Sequence, residues 1–218
     1  IRPAPAVATS ANHDLSVRRA HAVCLPRLLR RRERDARGYR CRVIDVTQPG
    51  LNHGFDDILA ANAEFAAGFK QQQVDGYAHR GLAIVTCFDS RIDPLRIVGM
   101  SAGDAKIVRN AGARVTDDVL RTLVLATHLL GVTRVLVMPH TDCRMSAQDE
   151  HALHASIYAN SGVDTRSLEF RTSPDQASAL LQDLQRIRSY PLLPTNLQSM
   201  GAVYDVRTGT LAPIVEQA

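Results

Sequence analysis

The chain has 218 residues, of which 45% are hydrophobic, and this is enough for one sizeable core. No apolar run approaches the ~18 residues that a membrane-spanning helix requires, so an integral membrane protein is excluded and no membrane partner is expected. The net charge is +4, but the first 43 residues hold 11 arginines against 3 acidic residues, so the remainder of the chain is acidic.

Residues 1–53 form an arginine-rich leader that includes the stretch RLLRRRERDARGYRCR. Few apolar residues recur there at a regular period, so we predict a disordered tail, or sequence upstream of the native start, outside a folded domain of residues 54–218. The alternative is a basic segment that binds nucleic acid or an anionic surface, although nucleic acid is not the expected partner. The leader lacks a secretory pattern, which predicts a cytoplasmic protein.

The four cysteines divide between the leader and the body. Cys24 and Cys41 lie in the leader, whereas Cys87 and Cys143 each follow a strand-like run in the body. Without a secretion signal, structural disulfides are not expected in a chain of this size. The positions of Cys87 and Cys143 therefore favour a metal-binding or catalytic role.

The first half of the body alternates between helical and strand-like patterns. Residues 54–69 predict a helix with acidic residues near its start, and GLAIVTC predicts a buried parallel strand. IDPLRIVGM predicts a short helix with Pro94 in its first turn, and AKIVRNAG predicts a strand that runs into a turn at Gly112. VTDDVLRTLVLATHLLG predicts a helix with Thr116 as its N-cap and Gly131 just beyond its end.

The second half continues the same alternation. TRVLVMPH predicts a third parallel strand, and SPDQASALLQDLQRIRSY predicts a helix capped by Ser173. GAVYDVRTGTLAPIV predicts two short strands joined by a turn at Thr208 and Gly209. The order β-α-β-α-β-α-β predicts a single α/β domain with a mainly parallel sheet flanked by helices.

Metal-binding residue types stand at the ends of two predicted strands. Cys87 ends one strand, His140 ends another, and Cys143 follows His140 by three positions. Ligands of open parallel sheets bind beyond the carboxyl ends of the strands, so these three side chains are expected at one edge. Two thiolates and one imidazole are a normal Zn²⁺ set, and three protein ligands leave a fourth position for water or substrate.

A carboxylate and a guanidinium follow Cys87 at alternate positions. Along an extended segment, Cys87, Asp89 and Arg91 would project to the same side, with Asp89 beside the metal and Arg91 as its ionic partner. Asp89 would then orient a zinc-bound hydroxide, and on release by Arg91 it would become a fourth ligand that closes the site. The alternative is a purely structural ion pair.

Three stretches, CFDSR, GDAKIVRNAG and HTDC, resemble the β-class carbonic anhydrases, especially the short bacterial and mycobacterial-type subgroup. The resemblance extends over residues 54–215. It implies four parallel strands plus an antiparallel edge strand, and reversible hydration of CO₂ to bicarbonate with one Zn²⁺ per subunit. It also implies a homodimer, often paired into a tetramer, in which the helix of residues 54–69 packs on the partner.

The resemblance also assigns roles to particular residues. It places the zinc ligands at Cys87, His140 and Cys143, and the orienting pair at Asp89 and Arg91. The segment of Asn110, Ala111 and Gly112 is the expected substrate pocket, although turn formation is the alternative role for Asn110 and Gly112.

One position departs from the family pattern, because Arg144 follows the second zinc cysteine where the family usually has glycine. Arg144 therefore brings charge near the expected pocket. His151 and His154 are candidates for a proton shuttle, with an ordinary surface position as the alternative.

Two other functions compete with CO₂ hydration. A carbonyl sulfide or carbon disulfide hydrolase shares this scaffold in the resemblance, because the same nucleophile attacks a similar linear molecule. A zinc-stabilised regulatory protein would instead use the leader to bind nucleic acid, with a strong dependence on salt. This third hypothesis gives no reason for Asp89 and Arg91 beside an open zinc position.

Overall fold

The computed structural model describes residues 54–70 and 75–214. The predictions about the arginine-rich leader, Cys24 and Cys41 therefore lie outside the described residues. The chain divides into two compact units, residues 1–70 and residues 71–218.

Helix α1 spans Asp56–Gly68 and is the described part of the first unit. Asp56 and Asp57 lie in its first turn, where negative charge favours the helix dipole. No residue of α1 is buried. Phe65 in the helix and Phe69, which follows its last residue, are exposed, and their rings lie 5.5 Å apart between centroids.

A five-stranded sheet forms the centre of the second unit, in the order β2-β1-β3-β4-β5. The first four strands are parallel, and β5 pairs antiparallel with β4 at the edge. This confirms the predicted four parallel strands with an antiparallel edge strand. The strands are β1 (Leu82–Cys87), β2 (Ala105–Asn110), β3 (Arg134–Met138), β4 (Gln198–Tyr204) and β5 (Leu211–Ile214).

Helices cover both faces of the sheet. They are α2 (Pro94–Ile97), α3 (Asp117–Leu129), α4 (Glu150–Ser161) and α5 (Gln176–Arg188). Side chains of α3 and α5 pack with Ala83 and Val85 in one apolar cluster. Leu82 and Ile84 pack in a second cluster with Leu153 of α4. Successive side chains of β1 point to opposite faces of the sheet, and each face is covered by one of these clusters. Every residue of β1 is therefore buried, as its continuous apolar run predicts.

Two predicted helix ends are confirmed, and one is wrong. The Thr116 side chain accepts from the Val119 N–H at 3.4 Å as the N-cap of α3, and Gly131 follows that helix at φ +74°. Helix α5 is capped by Asp175, not by Ser173. Ser173 is instead buried, and its N–H donates to the Met145 carbonyl at 2.8 Å. Ser173 therefore packs in the loop before the helix and does not cap it.

Helix α4 was not predicted from the sequence. Asp149 caps it by accepting from the Ala152 N–H at 2.8 Å, and Gly162 ends it at φ +71°. Leu153 is its one buried residue, so the segment shows no apolar stripe. Among the helices of the described residues, none is both long and apolar enough to cross a membrane.

Candidate active site

Cys87, His140 and Cys143 converge at the carboxyl ends of β1 and β3. One potential ligand atom from each residue lies within 4.8 Å of the others, and the three side chains are buried. The two sulfur atoms are 4.0 Å apart, roughly twice the ~2.05 Å of a disulfide, and both cysteines are free. The structure thus brings together the three residues that the sequence places at separate strand ends.

The segment after β3 turns sharply to deliver Cys143. His140 forms a parallel bridge with Tyr204, whose carbonyl accepts from the Thr141 N–H at 2.9 Å. Asp142 then adopts a left-handed conformation at φ +56°, which aspartate tolerates better than most residues. This reversal returns Cys143 towards the end of β1, and a single 3-10 turn begins at Arg144.

Gly112 supports the site through its backbone. Its N–H donates to the Cys87 sulfur at 3.4 Å, and its φ of +78° favours glycine. A Cβ atom at this position would lie 3.0 Å from the Cβ of Met145. The turn and the close contact with Met145 thus explain the glycine, and its N–H helps stabilise negative charge on Cys87.

His140 presents one ring nitrogen to the cysteines. Nδ1 lies 2.8 Å from the Thr141 carbonyl oxygen, which only accepts, so Nδ1 carries the proton and donates it. Nε2 therefore keeps its lone pair. It is buried and has no hydrogen-bond partner in the described part of the chain. Two sulfurs and an imidazole nitrogen fixed in this tautomer fit Zn²⁺.

The two thiols shift each other's pKa in opposite directions. The hydrogen bond with Cys143 and that from the Gly112 N–H lower the pKa of Cys87. The same contact with Cys87, together with burial, raises the pKa of Cys143 far above its usual value. Two adjacent thiolates therefore repel each other, and a bound divalent cation would relieve this repulsion.

Asp89 and Arg91 form a two-pronged ion pair beside the three residues. Arg91 Nε donates to Asp89 Oδ1 at 3.0 Å and Nη2 donates to Oδ2 at 2.8 Å. This guanidinium holds the pKa of the Asp89 carboxyl well below its usual range. Asp89 Oδ2 lies 3.9 Å from His140 Nε2, so the ionised carboxylate faces the candidate metal position.

The backbone route to this pair differs from the prediction. The chain does not remain extended after Cys87. The Ile92 N–H donates to the Asp89 carbonyl at 3.2 Å, and the Asp89 side chain accepts the Arg91 N–H at 2.9 Å. An aspartate readily closes such a turn through its own side chain. The turn, rather than strand alternation, places the carboxylate and the guanidinium side by side.

Two further polar residues, whose roles were not predicted, tie the site together. Arg91 Nη1 also donates to Asp142 Oδ2 at 2.8 Å, which joins the loops after β1 and β3. Arg109 on β2 donates to the carbonyl oxygens of Cys87 and Asp89 at 2.9 and 2.6 Å. The structure pairs β2 with β1, and this neighbouring position brings Arg109 to the loop after β1.

The three residues Asn110, Ala111 and Gly112 make different contacts. The Asn110 side chain accepts from the Arg114 N–H and donates to the Arg114 carbonyl, at 2.9 and 2.7 Å. It is thus engaged in holding the turn. Ala111 lines the cavity in front of the metal residues, and Gly112 contacts the Cys87 sulfur. Of the three, Ala111 faces the space where a substrate would lie.

A cavity of about 570 Å³ opens above Cys87, His140 and Cys143. Its walls are mainly apolar, with Asp89, Ser90 and Arg144 as further polar residues. The apolar wall consists of Phe88, Ala111, Met145, Leu153 and Phe170. A small neutral molecule therefore meets apolar side chains directly beside the candidate metal position.

His151 and His154 lie apart from this cavity. They line a separate cavity of about 370 Å³ together with Tyr158. His154 Nδ1 is 2.9 Å from Thr165 Oγ1, and its ring contacts Phe170 with centroids 5.3 Å apart. Neither histidine lines the central cavity, so a direct proton transfer from that space has no support in their positions.

The fold and these residues define an α/β protein with a candidate Cys–His–Cys metal site. The family model for carbonic anhydrase matches residues 82–211. β-Carbonic anhydrase 1 of Mycobacterium tuberculosis is 37% identical over 157 residues, which cover 72% of this chain and 94% of the relative. The chain therefore belongs to the β-class carbonic anhydrases, a family of enzymes.

Two further similarities extend this result. The crystal structure of a carbonic anhydrase from Streptococcus mutans aligns with a TM-score of 0.70 at 32% identity, covering 76% of this chain and 99% of that one. A carbon disulfide hydrolase from Saccharolobus solfataricus is 31% identical over 158 residues, which cover 61% of this chain and 76% of the relative. The same scaffold is thus found in proteins named for two different reactions.

Proposed function

We propose that the chain catalyses the reversible hydration of CO₂ to bicarbonate, with one Zn²⁺ per subunit held by Cys87, His140 and Cys143. The observation that carries this proposal is the buried His140 Nε2, which has no hydrogen-bond partner among the described residues and lies with two free cysteine sulfurs. These atoms lie at the base of a mainly apolar cavity beside an ionised carboxylate.

Zn²⁺ bound there would supply the Lewis acidity that makes water nucleophilic near neutral pH. Asp89 Oδ2 would accept a hydrogen bond from the nucleophile and so select the orientation that faces CO₂. The role requires the carboxylate to stay ionised and fixed, and the two-pronged contact with Arg91 meets both requirements. Arg109 holds the backbone on either side of Phe88 and so limits movement of the carboxylate.

The ion pair also bears on the alternative in which Asp89 closes the site as a fourth ligand. Both carboxylate oxygens are engaged by Arg91, whose guanidinium is in turn held by Asp142. Direct coordination by Asp89 would require at least one of these contacts to break. This arrangement supports the open form as the resting one, with Asp89 outside the metal coordination.

The apolar wall would hold the neutral, linear CO₂ next to the nucleophile. It also excludes water, which strengthens the electrostatic contacts at the base of the cavity. Carbonyl sulfide and carbon disulfide share this linear shape, and the similarity to the Saccharolobus solfataricus hydrolase supports them as the alternative substrates. Carbon dioxide is preferred because the carbonic anhydrase relative is more similar and is covered almost completely.

A direct assay tests the substrate. The purified, zinc-loaded protein is mixed with CO₂ and pH change is followed by stopped flow, and carbonyl sulfide and carbon disulfide hydrolysis are followed by sulfide release. The expected result is a kcat/KM for CO₂ at least tenfold above that for either sulfur compound. Faster turnover of a sulfur compound would assign the alternative function, and turnover of none of the three would reject both.

We further propose that the protein is a cytoplasmic homodimer, and that a tetramer would assemble from two such dimers. The exposed apolar side chains of α1 support self-association, because an isolated helix of this length has little stability of its own in water. The two free cysteines at the site support a reducing compartment. The catalytic domain is proposed to be residues 54–218, which contain the whole family match.

A further inference from the structure

Arg144 is an exposed guanidinium on the wall of the central cavity. It follows Cys143 directly and begins the short 3-10 turn after it. Its side chain makes no hydrogen bond or ion pair with any residue that the structure describes. A charged group is thus placed where a molecule in the cavity can reach it, and it is not committed to holding the fold.

Two other guanidiniums near the site are already bound to protein groups. Arg91 binds the side chains of Asp89 and Asp142. Arg109 donates to two backbone carbonyl oxygens, those of Cys87 and Asp89. Unlike Arg91 and Arg109, Arg144 has its donors available for a ligand.

The chemistry of the cavity restricts what such a ligand can be. Asp89 carries a negative charge that Arg91 balances, and most of the remaining wall is apolar. Arg144 therefore adds a positive charge that forms no ion pair with any residue of the described chain. A planar guanidinium presents paired N–H donors that match the two oxygens of a planar oxyanion.

We propose that Arg144 is an anion-binding residue that holds bicarbonate, and competing small oxyanions such as nitrate, inside the central cavity. The identity of bicarbonate as the natural ligand rests on the proposed function, whereas the anion site itself rests on the unpartnered guanidinium. Arg144 thereby sets how strongly the product is retained. Its effect on CO₂ is smaller, because CO₂ carries no net charge.

Kinetics separate this role from a structural one. In the Arg144→Gln variant, the inhibition constant of bicarbonate against CO₂ hydration rises by about three- to fivefold, as expected for loss of one exposed charge contact. The KM for CO₂ changes by a smaller factor. Arg144→Lys keeps the charge and restores most of the bicarbonate affinity. A general disturbance of the site would instead change both constants together.

A binding experiment tests the anion site without using turnover. Nitrate is titrated calorimetrically into the zinc-loaded wild-type protein, Arg144→Gln and Arg144→Lys, with zinc content and circular dichroism checked for each. The control is Arg121→Gln, which removes the same charge from an exposed arginine on α3 that pairs with Asp118. The dissociation constant of nitrate is expected to rise about three- to fivefold in Arg144→Gln and to stay unchanged in Arg121→Gln.

Three results would overturn the inference: no nitrate binding by the wild-type protein, equal affinity in Arg144→Gln, or equal weakening in both arginine-to-glutamine variants. The proposed function fails separately. If nitrate binding depends on Arg144 but CO₂ is not hydrated, the anion site stands and bicarbonate is not its natural ligand. If CO₂ is hydrated but nitrate affinity is the same with and without Arg144, the proposed function is retained and the role of Arg144 is rejected.

Discussion

Asp89 is the residue to which the proposed mechanism assigns the orientation of the nucleophile. Its carboxylate makes no hydrogen bond to His140, since Oδ2 is 3.9 Å from Nε2. Arg91 fixes both of its oxygens and keeps its pKa low. Substitution of Asp89 is therefore expected to impair catalysis while leaving the fold intact.

Asp89→Asn is expected to keep stoichiometric zinc and to lower kcat for CO₂ hydration by about 10²-fold or more, because the amide has lost the charge and one acceptor. Metal analysis and stopped-flow kinetics check both parts. Asp142→Asn is the matched control, since it weakens one contact of Arg91 but leaves the Asp89 pair intact. Parent activity in Asp89→Asn would remove Asp89 from the mechanism.

Gly112 offers a second test at the scale of one residue. Gly112→Ala places a methyl group against Met145 in addition to the strain of a positive φ. Gly162→Ala carries a similar φ of +71° but meets no atom within 4 Å. We expect Gly112→Ala to lower the free energy of unfolding by about 1–3 kcal/mol more than Gly162→Ala, measured by urea denaturation. Equal losses would show that the contact with Met145 is easily relieved.

Among the elements, those with a clear apolar pattern were predictable. Strands β1 and β3 are continuous apolar runs because both faces of the sheet are covered. Helix α4 buries only Leu153, so its sequence carries no period to detect. The cap of α5 was assigned to Ser173 because serine and aspartate both cap helices, and only the loop packing decides between them.

In the candidate site, too, some features were predictable from the sequence and others were not. Cysteine and histidine at strand ends predict a common edge, because parallel strands end together. The turn at Asp89, the reversal at Asp142 and the contacts of Arg109 depend on packing between loops that are distant in sequence. No local sequence pattern indicates which distant residue each of these groups will contact. The residue types and the pairing of Asp89 with Arg91 were thus predictable, whereas the contacts of Asp142 and Arg109 were not.

A buried ion pair joins the turn after β2 to helix α5. Arg114 Nε is 2.7 Å from Asp183 Oδ2, and their side chains are 13% and 3% exposed. Arg114→Met leaves the Asp183 charge buried without its partner and is expected to cost about 3–5 kcal/mol of unfolding free energy. Adding Asp183→Leu should recover most of this loss, because no uncompensated charge remains.

The exposed pair of Arg166 and Asp164 is the control for this measurement. Arg166→Met should change the unfolding free energy by less than about 1 kcal/mol, because solvent screens the pair. Chemical denaturation of the wild-type protein and these three variants provides the comparison. A double variant less stable than Arg114→Met alone would contradict the interpretation of Asp183 as an unpaired buried charge.

At the scale of the whole molecule, α1 is the feature that requires an explanation. All of its residues are exposed, although several are large and apolar. Exposed apolar side chains on a short helix favour association, since burial stabilises both the helix and the contact. The proposed homodimer would supply that burial.

The paired change Phe65→Ser and Phe69→Ser is expected to weaken self-association at least tenfold, because it removes two exposed aromatic side chains, one in α1 and one at its C-terminal end. Light scattering coupled to size exclusion, over a dilution series, measures the mass. The control is Leu129→Ser with Leu192→Ser, which changes exposed apolar residues outside α1. A monomeric wild-type protein, or an unchanged dimer in the phenylalanine variant, would reject α1 as the interface.

The central claim is that Cys87, His140 and Cys143 bind one Zn²⁺ with a position left for a non-protein ligand. X-ray absorption at the zinc edge of the purified protein tests it most directly. We expect one zinc per chain, with two sulfurs at about 2.3 Å and two nitrogen or oxygen neighbours at about 2.0–2.2 Å. A protein without stoichiometric zinc, or a shell of four sulfurs, would contradict it.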